Sequence, residues 1–476
     1  MYHHFRRLTI LLFILAVVLS GCNAFPWIST PDAQTTDQPT LSPQPLIRTT
    51  ASATAGQPGP TPTDAGLQGV RIRFLHPWTD DSAAAIQALV EQFNRSNNWG
   101  IIVEEQAAGS AGLVEREVEK AMTAGVLPEV VAAPSGMLKS WQKTSGRLVD
   151  LSAWVGNRQW GWSKAEVEDF YPVFWQEDLA GSRRVGIPAQ RTAQVLFYNR
   201  SWADELGLTQ LPQTLTDFQQ QNCKAHAAMI ENPDINLRGL GGWIVNRDAL
   251  TLLSFFRGWD GEVSAIERGE GIAFPDSPTV EVFYSLKVMA RDSCSWVSRE
   301  PEPFAYFANR QALMYAGPLQ DLRLQTQVNK KLGSQDQWAA LPFPGKANPV
   351  LVSRGVSFGI FDTSTKENLA AWLFIRWMLQ PENQASLVRA STSLPVGKAA
   401  RAYLGDLERE IPQWKAVVDR MDIVQPEPAS TAWLKARPVV EDTLWQLHQA
   451  EFKVEEIPVL VKTMNAIIAE VLALKP

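Results

Sequence analysis

The sequence is poor in the residues that bind metal ions. It has three cysteines and five histidines among 476 residues, and His76, His226 and His448 are too far apart to show the spacing of metal ligands. It also lacks the motifs that mark phosphate-binding loops, zinc proteases, serine hydrolases and dinucleotide-binding folds. We therefore expect no metal and no cofactor, and no motif identifies an enzyme.

An excess of positive charge is also missing. The chain has 44 basic and 50 acidic residues, a formal net charge of −6, and no stripe of lysine and arginine. Proteins that bind nucleic acids need clustered basic residues to neutralise the phosphates. We therefore expect no nucleic-acid partner.

Only one long apolar run occurs, Leu8–Leu19, and it follows the basic pair Arg6 and Arg7. The run is too short to span a bilayer comfortably, which favours a signal peptide over residues 1–21. It ends in Leu-Ser-Gly-Cys22, which resembles the lipobox of bacterial lipoproteins, where the cysteine receives a diacylglycerol and becomes the first residue. The alternative is an ordinary signal peptide with an incidental cysteine. We expect lipidation at Cys22 and a location on the extracytoplasmic face of the cell membrane.

Residues 22–69 are crowded with proline, threonine, serine and glutamine and contain few large apolar side chains. Such a segment cannot bury enough surface to offset the entropy of ordering it. As a flexible coil it would span roughly 40 Å. We therefore expect a disordered tether between the lipidated cysteine and a folded body that begins at Val70.

Cys223 and Cys294 are the two cysteines that remain if Cys22 carries lipid. Disulfides persist outside the cytoplasm. A bond between these two residues would close a loop of about 70 residues and stabilise the fold by about 4 kcal/mol. We expect this disulfide, and the alternative is two separately buried thiols.

The body alternates short apolar strands with amphipathic helices. Periodicity predicts strands over 70–75, 101–105 and 130–133, extended segments over 185–199, 311–317, 337–344 and 350–361, and helices after Thr79 or Asp80 and over 113–124, 214–229, 366–390, 433–449 and 457–473. This alternation is typical of an α/β fold with a mostly parallel sheet. A body of about 400 residues is too large for one core, so two lobes are expected. In such sheets ligands bind beyond the carboxyl ends of the strands.

Several segments, taken in order, resemble the large extracellular solute-binding proteins that serve ABC importers, in the sugar-binding branch related to maltose- and multiple-sugar-binding proteins. The segments are Phe74–Trp78, Glu91–Asn94, Gly100–Glu104, Gly125–Val130, Gly186–Gln190, Phe197–Asn199, Leu206–Thr214, Ala312–Gly317, Ala371–Ile375 and Leu394–Val396. One departure is Glu129, which stands where the family usually has aspartate. The longer side chain puts the family's ligand contacts there in question.

The resemblance implies a two-lobed, type II periplasmic-binding-protein-like fold with a ligand cleft between lobes joined by hinge crossings. The first lobe would hold 70–189 plus 356–391, and the second 190–355 plus 392–476. The implied partners are a small-molecule solute, expected to be a carbohydrate, and the membrane subunits of an ABC permease with a separate ATPase. The protein itself is expected to be a monomer.

Saccharide sites combine flat aromatic rings with planar polar groups that bond adjacent hydroxyls. The chain has 18 tryptophans, and we expect Trp78, which follows the first strand, and Trp243, which follows two glycines, to line the cleft. Other candidate ligand-binding residues lie at strand ends and predicted crossings: Ser135, Gly136, Gln190, Arg191, Tyr315, Gly317 and Arg354. Each has a structural alternative, such as a loop anchor, a plain turn, a hinge contact or a salt bridge between the lobes.

These features together predict a substrate-binding lipoprotein of an ABC importer, and not an enzyme. The alternative is a lipid-anchored glycan-processing enzyme that uses paired carboxylates in the cleft. A third hypothesis is an adhesion module with no small ligand. Ligand binding without turnover would separate the first hypothesis from the other two.

Overall fold

The structure is a computed structural model that describes residues 66–234, 240–259, 271–299, 302–346 and 348–474, together with the backbone of 267–268. The predicted signal peptide, Cys22 and the predicted tether up to residue 65 lie outside these described residues. Within the described ranges, no helix combines the length and the apolar character that crossing a membrane requires.

Strands and helices alternate through most of the described chain. The strands are β1 (Arg71–His76), β2 (Ile102–Ala107), β3 (Val130–Ala133), β4 (Leu179–Ala180), β5 (Arg183–Arg184), β6 (Ile187–Asn199), β7 (Trp243–Ile244), β8 (Glu267–Arg268), β9 (Gly271–Ile272), β10 (Ser295–Trp296), β11 (Met314–Pro318), β12 (Trp338–Leu341), β13 (Leu351–Ile360) and β14 (Val424–Pro426). The helices are α1 (Asp80–Ser96), α2 (Ala111–Ala124), α3 (Ser135–Ser145), α4 (Leu151–Val155), α5 (Lys164–Asp169), α6 (Pro172–Glu177), α7 (Arg200–Glu205), α8 (Leu215–Ile230), α9 (Ala249–Gly258), α10 (Asp276–Arg291), α11 (Phe304–Ala308), α12 (Asp321–Leu332), α13 (Thr365–Met378), α14 (Pro381–Ser391), α15 (Gly405–Glu410), α16 (Pro412–Val418), α17 (Thr431–Leu447) and α18 (Ile457–Ala473).

The first part of the chain builds a parallel group of strands in which β1 lies between β2 and β3. Helix α1 follows β1 and buries the apolar face that its sequence predicts: Ile86, Leu89, Val90 and Phe93. Helix α2 ends at Gly125, whose left-handed conformation only glycine adopts without strain. We call the part built on β1, β2 and β3 the first lobe.

The second part of the chain is built on three parallel strands, since β7 pairs with both β10 and β11. Helix α8 packs nearby and begins at Thr214, which forms a reciprocal capping box with Asp217. Cys223 of α8 and Cys294, just before β10, form a disulfide, which confirms the predicted bond. We call the part built on β7, β10, β11 and α17 the second lobe.

Two long strands join the lobes within one sheet whose strand order is β10-β7-β11-β6-β13-β3-β1-β2. Strands β6 and β13 run antiparallel, and β13 pairs with β3 at its far end, while β6 pairs with β11 and β12. The pairing of β6 with β13 is irregular between Val356 and Ser357. This irregularity lies where the chain passes from one lobe to the other. A bulge bends a strand locally, so β13 bends at this crossing.

Two boundaries differ from the sequence-based expectation. Leu67 is fully buried and the Gly69 N–H donates to the Gly100 carbonyl oxygen, so the folded body begins before Val70. The single helix expected over 366–390 is two helices, α13 and α14. Pro381 is the first residue of α14, and because proline lacks an N–H and clashes with a preceding helical turn, it ends one helix and starts another.

Candidate functional site

The segments that follow β7 and β10 line a cavity of about 640 Å³. Helix α17 forms another of its walls. Much of the lining is polar or charged, and includes Asn246, Arg247, Asp248, Arg299, Glu441 and Asp442. The position, beyond the carboxyl ends of two parallel strands, is where α/β sheets bind ligands, and the volume suits a small molecule.

Trp445 supplies the aromatic surface of this cavity. The residue lies on α17 and is 39% exposed, which is high for a tryptophan in a folded body. The guanidinium carbon of Arg247 lies 4.7 Å from the centroid of its ring, so a cation already covers one face of the indole. A ligand with an apolar face could take the place of Arg247 there.

The loop after β7 is held rigidly by its own side chains. Asn246 donates to the Ala316 carbonyl oxygen and accepts from the Asp248 N–H. Asp248 caps α9 by accepting from the Leu250 N–H, and its carboxylate lies 3.0 Å from Arg354. These contacts fix the cavity wall before any ligand binds.

Partly buried carboxylates lie beside this wall. Burial raises the pKa of Asp321 to about 7, and the nearby negative charge of Glu302 adds to the effect. Burial also raises the pKa of Glu427, whose carboxylate accepts a 2.6 Å hydrogen bond from the Trp433 indole N–H. A carboxyl group with a pKa near neutrality is partly protonated, so it can donate as well as accept hydrogen bonds.

Arg191 occupies the crossing between the lobes and is almost completely buried. Its Nε lies 2.7 Å from the Glu177 carboxylate, and its Nη1 donates to the Val356 carbonyl oxygen at 2.6 Å. The neighbouring Gln190 accepts a 2.7 Å hydrogen bond from the Trp78 indole N–H. Both predicted residues therefore contact the hinge strands and the first lobe, and neither lines the cavity.

Ser135 and Gly136 are the first two residues of α3, and not a plain turn. Ser135 Oγ donates to the Glu177 carbonyl oxygen at 2.7 Å. The Gly136 carbonyl oxygen accepts a 3.1 Å hydrogen bond from Thr431 Oγ1 at the start of α17. The two residues therefore lie where the first lobe meets the second.

The structure buries both tryptophans that the sequence suggested as stacking rings. Trp78 is 6% exposed and packs among Phe74, His76 and Phe358. Trp243 is 1% exposed and packs edge-on against Phe218 and Phe255. Both rings therefore lie in apolar cores of the folded body.

The remaining predicted residues lie close to the cavity. The Tyr315 ring is buried against Phe197, at 4.2 Å between centroids, although the residue also contributes to the lining. A Cβ on Gly317 would lie 2.5 Å from the Asp321 carboxylate, so glycine makes room for that acid. Arg354 pairs with Asp248, and both residues fall in the predicted second lobe, so this is not the salt bridge between the lobes given as the alternative.

Trp445 was missed by reasoning from the sequence, although a signal was present. The buried residues of α17 follow a helical stripe: Ala432, Trp433, Ala436, Val440, Thr443, Leu444 and Leu447. Trp445 lies off that stripe, which indicates an exposed indole. Arg247 and Arg299 follow strands of only two residues, which are too short to show a period.

Solved structures of other proteins share this fold. The chain folds like the sugar-binding protein MalE from Xanthomonas citri, with a TM-score of 0.71, 19% identity and coverage of 85% of this chain and 98% of that one. It also folds like UgpB from Mycobacterium tuberculosis in complex with glycerophosphocholine, with a TM-score of 0.66, 17% identity and coverage of 85% and 99%. A third similar structure is the cyclic alpha-maltosyl-1,6-maltose binding protein from Arthrobacter globiformis, with a TM-score of 0.65, 16% identity and coverage of 84% and 99%.

These similarities establish a mixed α/β, two-lobed fold of the kind expected from the sequence. No curated protein matches the chain. A family model described as bacterial extracellular solute-binding protein matches residues 88–417, which is more than half of the chain. The chain therefore belongs to the family of bacterial extracellular solute-binding proteins.

Proposed function

We propose that this solute-binding protein captures a carbohydrate or a similar polar solute and delivers it to the membrane subunits of an ABC importer. The observation that carries the proposal is the partly exposed Trp445 ring in a cavity otherwise lined by planar polar groups. Sugars present apolar C–H faces and many hydroxyls, and this combination suits both. The similar structures named above include sugar-binding proteins and one in complex with glycerophosphocholine.

Within the proposed site, Trp445 stacks on the solute in place of Trp78 and Trp243. Asn246 and Glu441 offer amide and carboxyl groups to its hydroxyls, and Arg247 moves from the indole to a polar atom of the ligand. The cavity wall is shaped by Tyr315 and Gly317. Arg354 fixes Asp248 in that wall through a salt bridge. Planar groups of this kind bond two adjacent hydroxyls at once.

Closure of the lobes belongs to the same proposal. Gln190 and Arg191 hold the crossing strands, Ser135 holds the start of α3 against Glu177, and Gly136 forms the contact with Thr431 between the lobes. Hinge closure is the general means by which two-lobed binding proteins enclose a ligand. The closed form would then be the one that the permease recognises, with the ATPase on a separate chain.

We also propose that Cys22 carries a lipid and that the protein acts at the extracytoplasmic face of the cell membrane, as a monomer. The support is the lipobox-like sequence at Leu19–Cys22 and membership of an extracellular family. A role without catalysis follows from the same membership, since the family is defined by solute binding. The competing proposal of a glycan-processing enzyme predicts turnover of the bound saccharide.

The test is to measure melting temperature and binding heat with maltose, maltotriose and glycerophosphocholine. At a hundred times the dissociation constant, a true ligand should stabilise the fold by about 2.7 kcal/mol. Trp445→Ala should weaken binding by about 1–3 kcal/mol, roughly ten- to a hundredfold, and leave the melting temperature of the free protein unchanged. Tyr403→Ala is the matched control, because Tyr403 is 50% exposed and lies outside the cavity.

Two results would contradict the proposal. Full affinity in the Trp445→Ala variant would place the solute elsewhere. Release of shorter saccharides during a long incubation with maltotriose, detected by chromatography, would favour the enzyme instead.

A further inference from the structure

A second cavity, of about 500 Å³, lies on the first lobe. Its walls come from helices α5, α13 and α14 and from the turn before β2. It shares no lining residue with the cavity beside α17, and neither Gly136 nor Ser430 of the contact between the lobes belongs to it. Its occupation would therefore not depend on closure of the lobes.

Three tryptophans supply most of the aromatic lining of this second cavity: Trp99, Trp162 and Trp377. Each is only partly buried. Trp162 is held by Trp372, at 4.9 Å between ring centroids, and Trp377 is held against Phe93 at 5.5 Å. The Trp162 and Trp377 rings are thus fixed by aromatic contacts inside the lobe. Part of each of the three rings remains exposed.

The same rings carry unused hydrogen-bond donors. Among the described residues, the indole N–H groups of Trp99, Trp162 and Trp377 have no hydrogen-bond partner. The side-chain oxygen of Gln384 accepts from the Gly397 N–H at 2.8 Å, and this bond leaves the amide N–H groups of Gln384 for another acceptor. The cavity therefore offers several donors to a ligand rich in oxygen.

The charged side chains of the lining have polar partners within the protein. Arg376 donates to the Trp160 carbonyl oxygen at 2.9 Å and lies 3.3 Å from the Glu166 carboxylate. Asp169 accepts from the Ala399 N–H at 2.9 Å. Since these charges already have partners, the cavity favours a neutral ligand over an ion.

The volume and the lining together limit the kind of occupant. A space of about 500 Å³ holds a small molecule and is too small for a helix of a partner protein. Rigid aromatic faces suit the C–H face of a sugar ring, and the N–H donors suit its hydroxyls. From this geometry we propose that the first lobe carries a second binding site, for one neutral hexose ring of a saccharide, separate from the site beside α17.

The test uses the full chain labelled with 5-fluorotryptophan and maltotriose as the probe. Fluorine NMR signals are assigned with the single variants Trp99→Phe, Trp377→Phe and Trp445→Phe. The Trp99 and Trp377 signals should shift at millimolar maltotriose, with a dissociation constant of their own. They should shift equally in the Trp445→Ala variant, whose site beside α17 is impaired.

Two variants address the second cavity itself. Ala165 is exposed and lines the cavity, so Ala165→Arg should fill it and suppress the shift of the Trp377 signal. Trp99→Ala should weaken the binding reported by the Trp377 signal at least tenfold, and this variant provides the same information if Ala165→Arg does not fold.

Absence of a shift of the Trp99 and Trp377 signals in the unmodified chain would overturn the proposal. So would loss of the Trp99 and Trp377 shifts in Trp445→Ala, because the signals would then report binding at the first cavity.

Discussion

Gly136 at the start of α3 lies directly against the backbone of Ser430 just before α17. A Cβ on Gly136 would lie 2.8 Å from the Ser430 carbonyl carbon, closer than real Cβ atoms approach backbone. The adjacent Thr431 hydroxyl donates to the Gly136 carbonyl oxygen. The two lobes therefore meet through a backbone contact that only glycine permits.

Replacing Gly136 with alanine should hold the lobes apart. We expect Gly136→Ala to weaken solute binding at least tenfold and to increase the radius of gyration measured by small-angle X-ray scattering in the presence of solute. Gly112→Ala is the matched control, because Gly112 also lies in a helix, α2, and a Cβ there would meet nothing within 4 Å. Equal affinity in both variants would show that this contact is not needed for binding.

Stability should depend on pH through Glu177. Burial raises the pKa of this carboxyl to about 7, in spite of the opposing attraction of Arg191. The folded state therefore holds a proton that the unfolded state has lost between about pH 4.5 and 7, so the contribution of this group to the free energy of unfolding should fall as the pH rises through that window. The loss should be on the order of 3 kcal/mol for this group.

The measurement is urea unfolding at several pH values between 4 and 8. Glu177→Gln should reduce the slope, and the exposed Glu382→Gln should leave it unchanged. Asp321, whose pKa is also raised to about 7 by burial, contributes in the same direction, so part of the slope should remain. His448, whose pKa burial lowers to about 4, contributes in the opposite direction between about pH 4 and 6.5. An unchanged slope in Glu177→Gln would therefore contradict the assignment.

Trp243 should behave as a core residue. Trp243→Ala removes a buried ring from between Phe218 and Phe255 and should lower the free energy of unfolding by about 3–5 kcal/mol. Trp445→Ala should have little effect on stability, since that ring is partly exposed. If the urea midpoint of Trp243→Ala matches that of the unmodified protein, the ring does not support the second lobe.

The disulfide should stabilise the second lobe by restricting the unfolded chain. Cys223 and Cys294 are separated by 71 positions, and replacing both with serine should cost about 2–5 kcal/mol. Peptide mapping without a reductant should recover the two cysteines as one linked pair. Two alkylated cysteines in the native protein would contradict the bond.

Membrane attachment should depend on Cys22. We expect Cys22→Ser to abolish incorporation of radiolabelled palmitate and to release the protein into the soluble fraction after cell breakage. Ser20→Ala serves as a control, because it keeps a small residue before the cysteine. Retention of the Cys22→Ser variant in the membrane fraction would require another means of attachment.

The sequence by itself determined the local elements and the fold class. Strand β3 has the predicted bounds, α8 begins one residue after the predicted start at Thr214, and the alternation of strands with helices identified an α/β protein. Short-range physics decides such features, since side-chain period, capping hydrogen bonds and proline positions act within a few residues. The disulfide followed from the small number of cysteines.

Only the tertiary structure decided which tryptophan lines the cavity beside α17. Trp445 and Arg247 lie far apart in the sequence and meet because α17 packs beside the loop after β7. Trp78 and Trp243 have equally suggestive neighbours in sequence, yet both rings are buried in the core. An indole gains free energy by burial wherever a pocket is available, so its residue type does not distinguish a core position from a binding surface, and long-range packing makes that choice.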